Sequence, residues 1–329
     1  MTVKTSLKII ETSHVNGQKF DITELCSDVQ WQTVRDSQAG SLTFKLKENG
    51  TVFLRNGDIV EAFWDEKKFF KGRVYKHTRT KEKAWAIVAY DLLYLFKSED
   101  TVVFPANNAA SRFEQICKLL NVPYKIGMVP RYNCVAKVAD KQTYYTMIDE
   151  AIQETAERSN ERYMIYDDAG TVRFIGYQEL NTALIIGDKS LLTDFQFDVS
   201  IEELYNAVKV IKENEKKKTR EVYQARDNGN ISKWGLLQKV ESPNDAKMNA
   251  QQMQAQADAK LKELNRISYT FNLSAIGYMP FRAGNNFHLQ MGELISDLGK
   301  SDFVCSTISC THSFLPTHTM ELEVELILK

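Results

Sequence analysis

Four residues near the end of the chain have the types and spacing to do chemistry. Cys305, Cys310, His312 and His318 read C-x4-C-x-H-x5-H, and thiolate with imidazole is a donor set that suits Zn²⁺. The same stretch, Cys305 to Phe314, also reads as a β-strand, with Cys310 and His312 two apart on one face. Packed cysteine behaves as a small hydrophobe, so the structural reading wins and neither metal nor other cofactor is expected. Two adjacent acid pairs, Asp167-Asp168 and Glu202-Glu203, invite a glycosidase comparison. That chemistry needs two carboxyls held across one scissile bond, whereas neighbours in a strand point to opposite faces and Asp168 opens a turn. A Cys–His peptidase would set its cysteine at a helix start or beside a histidine. Cys117 instead falls on an apolar helical stripe, and Cys134 has no supporting context. No phosphate-cradling glycine loop, zinc-protease helix, serine elbow or EF-hand loop occurs. No catalytic, cofactor-binding or metal residue is nominated, and the chain is not expected to be an enzyme.

Composition narrows the class. With 329 residues, 43% hydrophobic and 26% charged, two or three globular domains are expected. Basic and acidic residues nearly cancel, 42 against 43, so a dedicated nucleic-acid site, which needs a basic excess, is not expected. The run Lys216-Lys217-Lys218 with Arg220 alternates with Glu213 and Glu215, and reads as a solvated hairpin tip. Five scattered cysteines without a CxxC pair suit a reducing compartment. Met1 to Glu11 reads as a first strand rather than a signal peptide. No window approaches the ~20 apolar residues that cross a bilayer, so no membrane segment is expected.

Periodicity supplies the elements. Val29, Trp31 and Thr33, then Leu42, Phe44 and Leu46, alternate with polar neighbours, as strands with one buried face do. Further strands at Ile59–Trp64, Phe69–Tyr75 and Trp85–Leu92 make the first region, 1–98, an antiparallel barrel or sandwich. From 99 to 180 the pattern is α+β. Ser111 and Glu114 form a capping box ahead of Phe113, Ile116, Cys117 and Leu120. A second helix runs from about Thr143 to Ser159, and a hairpin follows around Asp168-Ala169-Gly170. From 181 to 329 strands dominate again, including Phe195 to Ile201, Val208 to Val210 and Tyr223. One helical insertion, around 242–265, takes Ser242 as its cap and Pro243 as its first residue, with a stripe of Ala246, Ala250, Met253, Ala257, Leu261 and Leu264. The chain closes on a strict alternation of Met320, Leu322, Val324, Leu326 and Leu328 with Glu321, Glu323 and Glu325. Trp31, Trp64, Trp85 and Trp234 mostly sit within strand patterns and look like core, which argues against a wall-binding module with clustered exposed aromatics.

Several short strand-and-turn phrases follow one another along nearly the full chain. They are Val29-Gln30-Trp31; Gly40-Ser41-Leu42-Thr43-Phe44; Gly57-Asp58-Ile59-Val60; and Phe70-Lys71-Gly72-Arg73-Val74. Later come Asn206-Ala207-Val208-Lys209-Val210, the run Ile231 to Gln238 containing Trp234-Gly235, His312-Ser313-Phe314, and His318-Thr319-Met320. Together, in this order, they resemble the XkdQ/YqbQ family of phage-tail hub proteins, from which Tyr278 to Met291 departs furthest. The resemblance implies a β-rich α+β chain in which two tube-type β-barrels flank an α+β middle domain. It implies a homotrimer at the baseplate of a contractile tail, in a phage or a phage-tail-like particle assembled in the host cytoplasm, joining the sixfold tail tube to the threefold central spike. A LysM-type hub adaptor and the tape-measure protein are further implied partners. Trp31, Gly40, Leu42, Phe44, Gly57, Gly72, Asn206, Val208, Trp234, Gly235, His312, His318 and Met320 are its structural positions. The competing readings are a tail-associated peptidoglycan hydrolase and a cell-wall-binding β-module.

Overall fold

Alternating burial shapes the first layer. The computed structural model describes residues 7–35, 38–50, 52–79, 81, 83–214, 219–243 and 248–327. Seven strands, β1 (Leu7–Thr12), β2 (Lys19–Asp21), β3 (Cys26–Val34), β4 (Ser41–Lys47), β5 (Ile59–Trp64), β6 (Lys67–Arg79) and β7 (Ala84–Tyr90), pair antiparallel in the order β3-β4-β7-β6-β5-β1-β2. Val29, Trp31, Leu42, Phe44, Leu46, Val60, Phe70, Val74 and Ile87 turn inward and form one core, as the period of two requires. Gly57 turns into β5 with φ +96°, where a Cβ would be strained. At Gly72 the constraint is contact: a Cβ would lie 2.3 Å from the Tyr90 carbonyl oxygen on β7. Gly72→Ala should therefore force β6 and β7 apart and cost about 1–3 kcal/mol, measurable as a lowered urea midpoint. An unchanged midpoint would contradict the close approach.

Between 99 and 180 the layers change. The elements are β8 (Glu99–Phe104), α1 (Ala109–Leu119), β9 (Tyr124–Ile126), β10 (Lys137–Thr143), α2 (Tyr144–Ser159), β11 (Tyr163–Asp167) and β12 (Val172–Gly176). Phe113, Ile116, Cys117, Ile148, Ala151, Tyr163 and Phe174 make their shared core. Helix α2 starts where its cap predicts, with the Thr143 hydroxyl accepting from Thr146 N–H. Helix α1 does not. Asn108, rather than Ser111, caps it by accepting from Ser111 N–H at 2.9 Å, so the helix begins three residues earlier than the expected box sets it. Asparagine is as good a cap as serine, and the extra turn buries Ala109 and Ala110.

Strands β13 (Asn181–Gly187) and β14 (Leu192–Ser200) follow. The chain then divides into two compact units, residues 1–196 with 272–329 and residues 197–271, the boundary falling inside β14. In the second unit β15 (Ala207–Asn214) pairs antiparallel with β16 (Thr219–Arg226) and parallel with β17 (Gln238–Glu241), which follows the short helix α3 (Asn228–Trp234). Helix α4 (Ala250–Leu264) covers one face of this sheet through Met253, Ala257 and Leu261 against Val210, Ala225 and Tyr223. It begins at Ala250, not at Ser242 and Pro243. Asn249 and Gln252 exchange both capping-box hydrogen bonds at 2.9 Å, and that reciprocal pair satisfies two of the free N–H groups at the helix start. Ala246 and the lysines 216–218 lie outside the described residues. Trp234 is a second correction. It ends α3 and is half-buried, with the Lys233 ammonium 4.5 Å from its ring centroid, rather than a strand residue in the core.

The last elements return to the first unit: β18 (Ser268–Ile276), β19 (Asn286–Gln290), α5 (Ile295–Leu298), β20 (Asp302–Ser313) and β21 (Thr319–Leu326). Strand β20 is long enough to serve two neighbours on one side. Asp302 to Ser306 face β19, and Ser309 to Ser313 face Gln30 to Val34 of β3. That joins the N-terminal and C-terminal strands into one 13-stranded sheet. Strand β21 buries Met320, Leu322 and Val324. Its glutamates stay inside the unit. Glu321 accepts from Ser274, Glu323 from Ser309, and Glu325 pairs with Arg35 at 2.8 Å. The expected Leu328 position lies outside the described residues. The architecture is mostly β.

Candidate functional site

The positions singled out in the sequence fall into two places. In the first unit, Leu42, Trp31, His312 and Met320 stand directly opposite one another on β4, β3, β20 and β21. All four are buried, and they cross the seam between the N-terminal and C-terminal strands as one row. Cross-strand pairs are the unit that stabilises a sheet, so this row ties the seam together. Trp31 stacks on His312 with ring centroids 5.2 Å apart, and Phe44 lies in the same core. His318 packs between Trp64 at 4.6 Å and Phe314 at 5.1 Å. Gly277 leaves room for that ring, since a Cβ there would lie 2.3 Å from it.

The two histidines form a directed chain. His312 Nε2 lies 2.9 Å from the Phe281 carbonyl oxygen, which can only accept, so Nε2 carries the proton. His312 Nδ1 must then accept, and His318 Nε2, 2.9 Å away, donates to it. The Cys310 sulfur sits 3.3 Å from the same Nε2. Burial pushes His312 down to about 4 and lowers His318 as well. Both rings are neutral at pH 7. Cys305 and Cys310 are fully buried, and burial pushes the Cys305 thiol up to about 12 and raises Cys310 also. Among the described residues no group of three His, Cys, Asp or Glu side chains could hold a metal. The C-terminal cysteines and histidines are wall and hydrogen-bond chain.

The segment His312 holds, 277–285, is a junction that sequence reasoning missed. Arg282 Nη1 donates to the Asp167 carbonyl at 3.1 Å, and its guanidinium lies 3.9 Å from the Tyr166 ring centroid. Ala283 N–H donates to the Thr33 hydroxyl, Asn285 Nδ2 to the Leu180 carbonyl, and Thr307 Oγ1 to the Asn285 carbonyl. One short segment thus binds β3, β11, the turn after β12 and β20. Beneath it lies Asp91, whose Oδ2 accepts from Gly40 N–H at 2.8 Å and Oδ1 from Leu93 N–H at 3.0 Å. A Cβ on Gly40 would meet that carboxylate at 2.6 Å. Burial and the neighbouring Asp167 carboxyl raise Asp91 well above the usual carboxylate range, and burial pushes Asp167 up to about 6. The signal available was a charge inside an apolar run: Met279-Pro280-Phe281-Arg282-Ala283 and Ala89-Tyr90-Asp91-Leu92-Leu93.

In the second unit Asn206 is the pin. Its Nδ2 donates to the Gly235 carbonyl at 2.7 Å and its Oδ1 accepts from Leu237 N–H at 2.9 Å. Asn206 is fully buried beside Val208, and it fixes the turn in which Gly235 takes φ +82° after Trp234. Asn206→Ala removes both bonds. A loss of about 1–2 kcal/mol is expected, read as a lower denaturant midpoint for residues 197–271, while Asn206→Asp, which at pH 7 sets a buried carboxylate oxygen against the Gly235 carbonyl, should cost more.

The remaining acid and thiol candidates stay apart. Asp167 is buried while Asp168 is exposed and pairs with Arg173 at 3.1 Å, and Glu202 and Glu203 are exposed. Cys117 and Cys134 are fully buried, Cys134 beside Ala151 and Thr155.

Residues 29–325 match the family model described as YQBQ-like. The chain belongs to the YQBQ-like family. Two relatives from Bacillus subtilis (strain 168) align along most of this YQBQ-like protein. The uncharacterized protein YqbQ is 27% identical over 302 residues, covering 90% of this chain and 89% of its own. The phage-like element PBSX protein XkdQ is 25% identical over 299 residues, again 90% and 89%. Among solved structures, the prophage MuSo2 43 kDa tail protein from Shewanella oneidensis superposes with TM-score 0.67 at 9% identity, over 96% of this chain and 97% of that one. The tail protein from Neisseria meningitidis gives 0.66 at 12%, over 97% and 96%. At such identity the likeness is one of fold, and the fold of this YQBQ-like protein is that of prophage tail proteins.

Proposed function

We propose that this YQBQ-like protein is a structural hub in the baseplate of a contractile, phage-type tail, where three copies join the sixfold tail tube to the threefold central spike. The observation that carries the reading is the buried row Leu42–Trp31–His312–Met320, which welds the first and last strand sets into one wall. We infer that residues 1–98 and 181–329 contribute the two tube-type barrels of each copy, with 99–180 as the α+β domain between them. Three copies would then present six wall segments to a sixfold tube, with Trp31, His312 and His318 acting to hold each pair of segments in register.

Supporting this, the chain aligns over most of its length with a protein of a phage-like element, and its fold matches tail proteins nearly end to end. It also superposes, with TM-score 0.54, on 64% of a chain in a PdpA-VgrG complex. The spike, the tube, a LysM-type adaptor and the tape-measure protein are the partners this reading names, and the particle baseplate is its location after assembly in the host cytoplasm. The test is assembly. Deleting the gene in a strain that makes tail-like particles should abolish complete tails, and a tagged copy should label one end of each particle in electron micrographs. Complete tails without the protein, or label spread along the tube, would overturn the proposal.

A further inference from the structure

The junction under the 277–285 segment buries more negative than positive charge. Asp91 and Asp167 are both nearly excluded from solvent, at 7% and 5% exposure, and Arg282 is the guanidinium whose charge acts on both. The other charged and titratable groups do not complete the balance. Asp168 turns outward to Arg173. Lys71 packs its stem against Gly170 at the hairpin tip, and its charge acts on Glu61. From α2, Tyr145 faces Asp91 with its hydroxyl buried and unpartnered, and Asp149 acts only to discourage its ionisation. Tyr166 lies under Arg282, and His312 and Cys310 beyond it are neutral. Two carboxylates against one guanidinium leave a net negative charge, which a dry site does not tolerate.

The hydrogen bonds of the two acids differ. Both oxygens of Asp91 accept from backbone N–H groups, Gly40 and Leu93, which favours its charged form. Asp167 accepts from Gly170 N–H through Oδ1, the Leu92 N–H adds a weaker pull towards its charged form, and its Oδ2 is buried without a partner. We propose that Asp91 and Asp167 hold one proton between them at neutral pH, that it resides on Asp167 Oδ2, and that it neutralises the junction joining three parts of the chain. The pair titrates as a unit; the site distinguishes its members by what each oxygen already accepts. The device has a sign. An acid that keeps its proton in the folded state, after the unfolded chain has released it near 3.8, stabilises the fold at low pH and ceases to do so as pH rises through about 6 and beyond. Alkaline conditions therefore loosen this junction.

Infrared spectroscopy of the full chain, labelled at the side-chain carboxyl of aspartate alone, reads the proton directly. The label excludes Glu11, which burial and Asp58 also push up, to about 7. At neutral pH the wild type should show a labelled protonated-carboxyl band of about one group per chain, and Asp167→Asn should remove it. A wild type without that band, or a band that survives in Asp167→Asn, overturns the proposal. Thermal midpoints add a second reading. Asparagine mimics the neutral acid at Oδ2, so Asp167→Asn should fold, and its midpoint should fall less than the wild type's between about pH 4 and 6, while Glu11 contributes equally to both. Asp91→Asn, which puts an amide donor against a backbone N–H, should lower the midpoint at every pH. Equal behaviour of the two variants would contradict the placement. Should Asp167→Asn fail to fold, the wild-type band still decides.

Discussion

Arg282→Met should cost about 3–5 kcal/mol of stability, the penalty for stranding buried charge rather than for losing a contact. Methionine fills much of the same volume and could still lie against Tyr166, so packing changes little. What changes is electrostatic: Asp91 and Asp167 lose the cation that offsets them, and the Asp167 carbonyl loses its donor at 3.1 Å. Denaturant titration should show the loss as a midpoint shift without a change in slope. A control fixes the interpretation. Arg79 pairs with Glu48 at 2.8 Å but is 61% exposed, and Arg79→Met should cost at most about 1 kcal/mol. Adding Asp167→Asn to Arg282→Met should change the loss little, because that acid is already neutral and the stranded charge lies on Asp91. A double variant weaker than Arg282→Met alone would contradict the charge balance drawn for this junction.

On the acid side His312 should make the protein fragile. In the unfolded chain its imidazole takes a proton near 6.5, whereas burial holds the folded ring unprotonated down to about 4. Between those values the unfolded chain binds a proton that the folded chain refuses, so stability is complete above 6.5 and drains as pH falls towards 4. The full loss is on the order of 3 kcal/mol. Geometry gives it a location. A second proton on His312 would set Nδ1–H against the His318 Nε2–H that now donates to it, and the chain to the Phe281 carbonyl would lose its direction. His312→Gln retains an amide donor for Phe281 and does not titrate. The stability gap between wild type and His312→Gln should therefore narrow by about that amount from pH 7 to pH 4, even though Glu11 and Asp167 shift the wild-type profile the other way. Parallel profiles would show that His312 is not the group refusing the proton.

What the sequence discloses follows from how local each signal is. Alternation in β3, β4 and β21 marks their buried faces because a strand's period is set by its own backbone, and Trp31, Leu42 and Met320 face inward as expected. The helix starts are less legible. Ser111 and Ser242 are competent caps, but Asn108 and Asn249 close better hydrogen bonds with the residues that follow. The central seam lay partly in view. His312 and Trp31 could each be read as strand residues, yet nothing local says that positions so far apart in the chain pair across β3 and β20. The junction was hidden for the same reason. Asp91, Asp167 and Arg282 come from three regions, and Arg282 stands in the 278–291 stretch where resemblance to relatives was weakest. Chemistry that depends on long-range register leaves no periodic trace.

The claim on which the account rests is that copies of this chain close into a threefold assembly. The mass of the full-length protein in solution, measured by light scattering alone and again with its spike protein, tests it most directly. Three copies per complex, formed alone or only once the spike is added, is the predicted result. A protein that stays a single copy in both samples would contradict the account.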